Sequence, residues 1–209
     1  MRVVLYGATG RAGSRILHEL LSRGHHVRAV TREAGSFDAR ENMEVSVDDL
    51  SEVSRTTEVI RGFDALISAY AAPPNDTDRL VAVTQLMVEA VRRSGIPRLM
   101  MVGGAGSLEV TPGVTLIKSG KLPSEWMPIA ESHAKALQVL KSSTINWTSL
   151  CPAAYFDPGE RTGRFHLGKD NLVANDEGES RISMEDYAIA MVDELEQPRH
   201  QRSRFSVGY

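Results

Sequence analysis

The sequence predicts an α/β fold, a doubly wound parallel sheet with helices on both faces in a single domain. Three observations carry this. Apolar runs of strand length alternate with longer amphipathic stretches almost from end to end. Four of the runs are nearly continuous in apolar residues, the pattern of parallel strands covered on both sides. The 209 residues, 42% hydrophobic and 24% charged, match one ordinary globular domain.

The strands are expected at Val3–Tyr6, Val27–Thr31, Met43–Ser46, Ala65–Ser68, Leu99–Val102, Trp147–Leu150 and Arg204–Val207. Between the first two, Ile16, Leu17, Leu20 and Leu21 share one helical face, and Gly24 ends the helix. Over Asp76–Ser94, Leu80, Val83, Thr84, Met87, Val88 and Val91 share a face, with Gly95 and Pro97 as stops. Ser183-Met184-Glu185-Asp186 reads as a capping box before a helix over Tyr187–Leu195. Two segments break the rhythm: 103–127, rich in glycine, and 152–181, rich in Gly, Asp, Asn and Arg. Both follow a strand, so both belong at the carboxyl edge of the sheet, where open α/β sheets bind ligands; they are expected to form a substrate cavity.

Composition excludes several functions. Lys and Arg number 24 against 27 Asp and Glu, a net charge of -3, which leaves no basic excess for nucleic acid or an anionic membrane. Cys151 is the single cysteine, so there is neither an internal disulfide nor a multi-cysteine zinc site. No apolar stretch approaches the ~20 residues that span a bilayer, and the first residues make too short an apolar run for a signal peptide. The expected protein is cytoplasmic, a monomer or homodimer, acting on a small molecule.

The strongest chemical signal is Gly7-Ala8-Thr9-Gly10-Arg11-Ala12-Gly13, directly after the first strand and opening the first helix. Gly7 permits the tight turn, Gly10 lets backbone approach a pyrophosphate, and Gly13 lets helix and strand pack closely. In that strand–turn–helix setting the motif predicts a Rossmann-type dinucleotide site including Thr9, Arg11 and Ala12. At the end of the second strand, where an NAD site usually carries an acid, Arg32 can meet a ribose 2′-phosphate, with Arg11 approaching from the glycine loop. NADP(H) is therefore expected over NAD(H), although Glu33 would restore an acid one residue on. Asp48 and Asp49 either flank the adenine or cap a helix. Ser68, Ala69 and Tyr70, and then Gly103 and Gly104, end the next two strands on the same edge.

These motifs, with Val102–Leu108, Pro152–Phe156, Pro158–Gly163 and Glu179–Ser183, resemble an atypical short-chain dehydrogenase/reductase of the NmrA-like, biliverdin reductase B-like and NAD(P)H-flavin reductase group. The resemblance covers essentially the whole chain. It implies a Rossmann-type fold, NADP(H) binding and two-electron reduction of a flavin or related planar acceptor, the flavin being substrate rather than bound cofactor. Most short-chain dehydrogenases move a proton with Tyr-x-x-x-Lys on the helix before the sixth strand and a Ser after the fifth. Here Ala130 and Ala134 fall at the tyrosine and lysine positions, Lys135 is one place off, and glycines replace the serine unless Ser107 or Ser119 reaches in.

Among the remaining candidates, His133 is a proton donor by its near-neutral ordinary pKa, or else a surface or packing histidine. Tyr155, Phe156 and Phe165 are aromatic walls, Phe156 and Phe165 being core otherwise, and Arg161 is a contact for an acidic or phosphate-bearing substrate. Cys151 is an inert thiol or a backbone contact to the nicotinamide. The leading functional expectation is an NADPH-dependent reductase of a flavin-like or quinone-like acceptor. The alternatives are a non-catalytic NADP(H)-binding regulator, and a reductase or epimerase of a small biosynthetic metabolite.

Overall fold

The computed structural model describes every residue of the chain except Ala34, Ser36, Asp38 and Ala39. In chain order the elements are β1 (Arg2–Tyr6), α1 (Arg11–Ser22), β2 (His26–Thr31), β3 (Met43–Val47), α2 (Val53–Ile60), β4 (Ala65–Ser68), α3 (Arg79–Ser94) and β5 (Leu99–Val102). There follow β6 (Glu109–Thr111), β7 (Val114–Thr115), α4 (Met127–Ser142), β8 (Trp147–Cys151), β9 (Tyr155–Asp157), β10 (His166–Gly168), β11 (Arg181–Ser183), α5 (Met184–Glu196) and β12 (Ser203–Gly208). The eight-stranded sheet runs β10-β12-β8-β5-β4-β1-β2-β3, parallel except for the antiparallel edge strand β10. Strand order reverses between β1 and β4, and the carboxyl edge there is the switch point at which such sheets open a crevice.

Alternation along β1 builds two cores. Val3 and Leu5 face α1 and α5, meeting Ile16, Leu20, Tyr187 and Met191. Val4 and Tyr6 face the other way, toward Ile60, Met87, Leu137 and Leu140 of α2, α3 and α4. Each such fully buried side chain contributes about 1.5–3 kcal/mol of transfer free energy. Helix ends follow the glycines. At Gly24 (φ 74°) α1 closes with Gly24 N–H donating to Leu21 O and His25 N–H to Leu20 O, the paired bonds of a Schellman motif. Gly95 (φ 72°) ends α3.

All seven expected strands form. The Asp76–Ser94 stretch becomes helical only at Arg79, since residues 76–78 are spent in turns. The sequence also hides α2, where five of eight residues are β-branched; burial of Ile60 and a side-chain bond from Thr56 to Asp48 override that local preference. The segments 103–127 and 152–181 are not bare loops. They contain β6 with β7, and β9 pairing in parallel with β11.

Candidate functional site

The three glycines after β1 have separable duties. Gly7 has φ 75°, and a Cβ there would run into the Ala69 carbonyl after β4. A Cβ on Gly13 would collide with the Gly7 carbonyl, so this glycine sets how closely α1 approaches the turn. A Cβ on Gly10 would meet only Gly7 O, at 3.1 Å, because that side faces open space. Gly10 is also the N-cap of α1; no side chain caps the helix and no acid lies in its first turn. Backbone donors and the positive end of the helix dipole are thus left for an anion.

Beside this turn a cavity of about 640 Å³ opens outside the carboxyl ends of β1–β4. Gly7, Thr9 and Gly10 form its floor; Arg32, Asp49 and Leu50 stand on one side, and Ala69, Tyr70 and Arg79 on the other. Arg32 is exposed and makes no ion pair among the described residues. Asp48 touches the cavity but spends its carboxylate inside the protein. It accepts from Tyr6 Oη at 2.6 Å and Thr56 Oγ1 at 2.7 Å, tying β1, β3 and α2 together. Burial, reinforced by Asp48, pushes the Tyr6 phenol far up, so it stays a donor. Asp49 is the free-standing acid of the pair, its own carboxyl held low by the Ser51 hydroxyl. Neither aspartate is the N-cap of α2, which is Glu52. Leu50 sits at φ 58° with its N–H on Asp48 Oδ1 at 3.3 Å, a left-handed leucine held against the cavity wall. Sequence reasoning missed Leu50 and Arg79. An αL leucine has no sequence signature, and Arg79 reads only as a surface residue of a helix first turn.

The remaining cofactor candidates lie outside that cavity. Ser68 is buried, with its Oγ accepting from Tyr70 N–H at 3.4 Å. Ala12 lies in the first turn of α1. Arg11 turns instead to Asp157 of β9, in an exposed pair at 2.9 Å. Gly103 and Gly104 are required by packing: a Cβ would sit 2.9 Å from Cys151 Sγ at the first and 2.8 Å from His133 Cγ at the second. The carboxyl ends of β5 and β8 and the first half of α4 therefore meet at Gly104, Cys151 and His133.

One expectation changes here. Burial pushes the His133 imidazole down to about 4, so at neutral pH it is uncharged and lacks the near-neutral titration its residue type suggests. Burial pushes the Cys151 thiol up to about 11, in keeping with an inert thiol. Ser107 and Ser119 are engaged elsewhere, by Arg204 at 2.7 Å and by the Leu116 carbonyl at 2.7 Å. Lys135 points to Asp78, at 3.0 Å.

The expected substrate residues divide. Tyr155 is exposed and meets Trp126 edge-on, ring centroids 6.0 Å apart. Phe156 packs on buried Tyr187 at 4.7 Å, and Phe165 lines a separate hollow with Ala190 and Phe205 on the α5 side. Arg161 gives its guanidinium to buried Glu19 in two bonds of 2.9 and 3.0 Å, away from the cavity, and so has no free fork for an acidic substrate. The Pro158–Gly163 motif is a clasp. Asp186, fully buried, accepts from Thr162 N–H and Gly163 N–H at 2.8 Å and from Thr162 Oγ1 at 2.5 Å, while Glu185 takes Gly159 N–H at 2.8 Å. Ser183 caps α5 as expected, receiving Asp186 N–H at 3.0 Å, but Asp186 serves the clasp instead of completing the box.

A glycine turn leading into an uncapped helix, at the switch point of a parallel sheet, is the setting of a dinucleotide site. The family model described as NAD(P)H-binding matches residues 7–198. The chain belongs to the NAD(P)H-binding family. Its fold is Rossmann-like and of the NAD(P)H-binding oxidoreductase type. The uncharacterized protein YwnB of Bacillus subtilis is 39% identical over 99% of this chain and 98% of its own length. A Bacteroides thetaiotaomicron protein provisionally named an epimerase is 40% identical with TM-score 0.93, covering 100% of this chain and 96% of that one. A Streptococcus pneumoniae protein provisionally named an NADH-flavin reductase is 33% identical with TM-score 0.90, covering 100% and 99%. Among the described residues of this NAD(P)H-binding chain, no helix is long and apolar enough to cross a membrane.

Proposed function

We propose that the protein is an NADPH-dependent reductase of a flavin-like or quinone-like planar acceptor. The carrying observation is what surrounds His133. The helix α4 bears no tyrosine, the resemblance puts Ala130 and Ala134 at the places of the proton relay, and burial holds the nearby imidazole uncharged at neutral pH. A reaction that needs a proton delivered to a carbonyl is poorly served by such a site. Hydride transfer between stacked planar rings needs proximity and orientation first, with the proton drawn from solvent.

The residues fit the nucleotide. The open side of Gly10 and the bare amino terminus of α1 would hold the pyrophosphate, and Leu50 and Asp49 would flank the adenosine. Arg32 would pair with the 2′-phosphate, which favours NADPH over NADH, and Arg79 adds a second guanidinium on the opposite wall. Bound NADPH supplies the hydride. Gly103 and Gly104 keep the backbone low at the end of β5, and His133 and Cys151 line that region with uncharged groups.

The test is NADPH oxidation, followed by nicotinamide absorbance, with riboflavin, FMN, a quinone and a set of ketones and secondary alcohols. Turnover of the planar acceptors with no alcohol oxidation is expected. Preferred turnover of a ketone or alcohol would overturn the reading, and tight NADPH binding without turnover of any acceptor would favour a regulator.

A further inference from the structure

Trp126 and Tyr155 are among the few large apolar side chains left open to solvent, 38% and 50% exposed. They come from segments far apart in sequence, the turn before α4 and the strand β9, yet their rings meet edge to face at 6.0 Å. Arg181 is the β-ladder partner of Tyr155, so both side chains stand on the same face of the small β9–β11 sheet. Its guanidinium lies 5.9 Å from the tyrosine ring centre and forms no ion pair among the described residues.

The position of the group matters as much as its composition. Trp126 is the N-cap of α4, the helix that carries His133. Tyr155 follows Cys151 by four residues. By chain position the cluster belongs to the β8 end of the sheet, on the opposite side of β1 from β2 and β3, whose ends border the cavity beside the glycine turn. Nothing in the fold requires these rings to be exposed, whereas neighbouring Phe156 is packed on the core.

We infer that Trp126, Tyr155 and Arg181 form the acceptor subsite, a cradle for a planar aromatic ring system bearing an acidic substituent. This rests on the reductase reading of the same site and names what the site selects. Two roughly perpendicular rings offer one stacking face and one edge, and Arg181, without an ion pair among the described residues, supplies a cation for the acidic group.

Riboflavin and FMN share the ring and differ in the phosphate, so they separate the two contributions. Binding is measured by calorimetry to the NADP⁺-loaded protein, which needs no turnover. FMN should bind more tightly than riboflavin and change the emission of Trp126, the only other tryptophan, Trp147, being buried. Trp126→Ala and Tyr155→Ala should each weaken both flavins about tenfold while NADP⁺ affinity stays unchanged, which also reports intact folding. Arg181→Gln should remove the preference for FMN and leave riboflavin unaffected. Absence of flavin binding to the loaded wild type, or wild-type affinity in Trp126→Ala and Tyr155→Ala, overturns the inference. Flavin binding that these variants abolish, in a protein that oxidises no NADPH, upholds the subsite and sinks the reductase reading.

Discussion

At the scale of single residues, the site separates those that make room from those that make contact. Gly10 makes room. Its absent Cβ would touch little of the protein itself, so Gly10→Val should fold, as judged by circular dichroism, and lose measurable NADPH binding in a calorimetric titration. Unchanged affinity in the folded variant would contradict the placement of the pyrophosphate. Arg32 makes contact. Arg32→Ala should cost roughly 1.5–3 kcal/mol of NADPH binding, the range of a charge-assisted hydrogen bond, and leave NADH nearly untouched. Equal losses for both nucleotides would assign discrimination elsewhere. Burial pushes the His133 imidazole down to about 4, so the acceptor reduction rate should be flat between about pH 6 and 8. His133→Ala should then lower that rate by less than ~10²-fold, the smallest loss expected of an obligatory general acid.

At the scale of elements, the motif after β9 shows how a conspicuous stretch of sequence can serve architecture. Arg161, Thr162 and Gly163 look like ligand contacts when written out, being polar, glycine-flanked and at the correct edge of the sheet. In three dimensions they bind Glu19 of α1 and Asp186 of α5, clamping the segment across the pair of helices behind the sheet. Burial alone would raise the Glu19 carboxyl, but the Arg161 and Arg23 guanidinium groups outweigh it and hold the group below its ordinary range. A carboxyl lowered on folding stabilises the native state above its unfolded pKa, about 4.3, and that contribution is lost as pH falls through the lower native value. Glu19→Gln should therefore cost roughly 1–2 kcal/mol at neutral pH, discounted because Arg161 is half exposed, and flatten the acid limb of stability. Urea unfolding at neutral pH and at about pH 4 measures both effects. An unchanged difference between the two pH values would remove Glu19 from the acid response.

At the scale of the whole molecule, the cavity is assembled from segments that meet only when the sheet has formed. The turn after β1, the ends of β2 and β3, and the chain from Ala69 to Arg79 are held in register by the β1–β2, β2–β3 and β1–β4 ladders. Ligand binding should consequently stabilise the entire fold. At a hundredfold excess over its dissociation constant NADPH adds about 2.7 kcal/mol, which for a chain of this size raises Tm by roughly 5–11 °C. A scanning fluorimetry series should show that shift with NADPH, a smaller one with NADH at the same concentration, and none in Gly10→Val.

The local pattern of the chain was enough to establish the seven strands of the parallel sheet, the glycine-stopped helices α1 and α3, and the dinucleotide turn. Each depends on residues close in sequence: apolar runs, helical spacing, and glycines where backbone must bend or approach. What the tertiary structure decided is which polar groups remain free once the chain has closed. Arg32 and Arg161 are alike in sequence, but one faces an open cavity and the other reaches Glu19 from 142 residues away. The His133 imidazole is pushed down by burial, which packing from segments distant in sequence imposes, the backbone at Gly104 among them. Trp126 and Tyr155 are neighbours only through the packing of α4 and β9. Pairing and desolvation are properties of non-local contacts, and no window of sequence contains them.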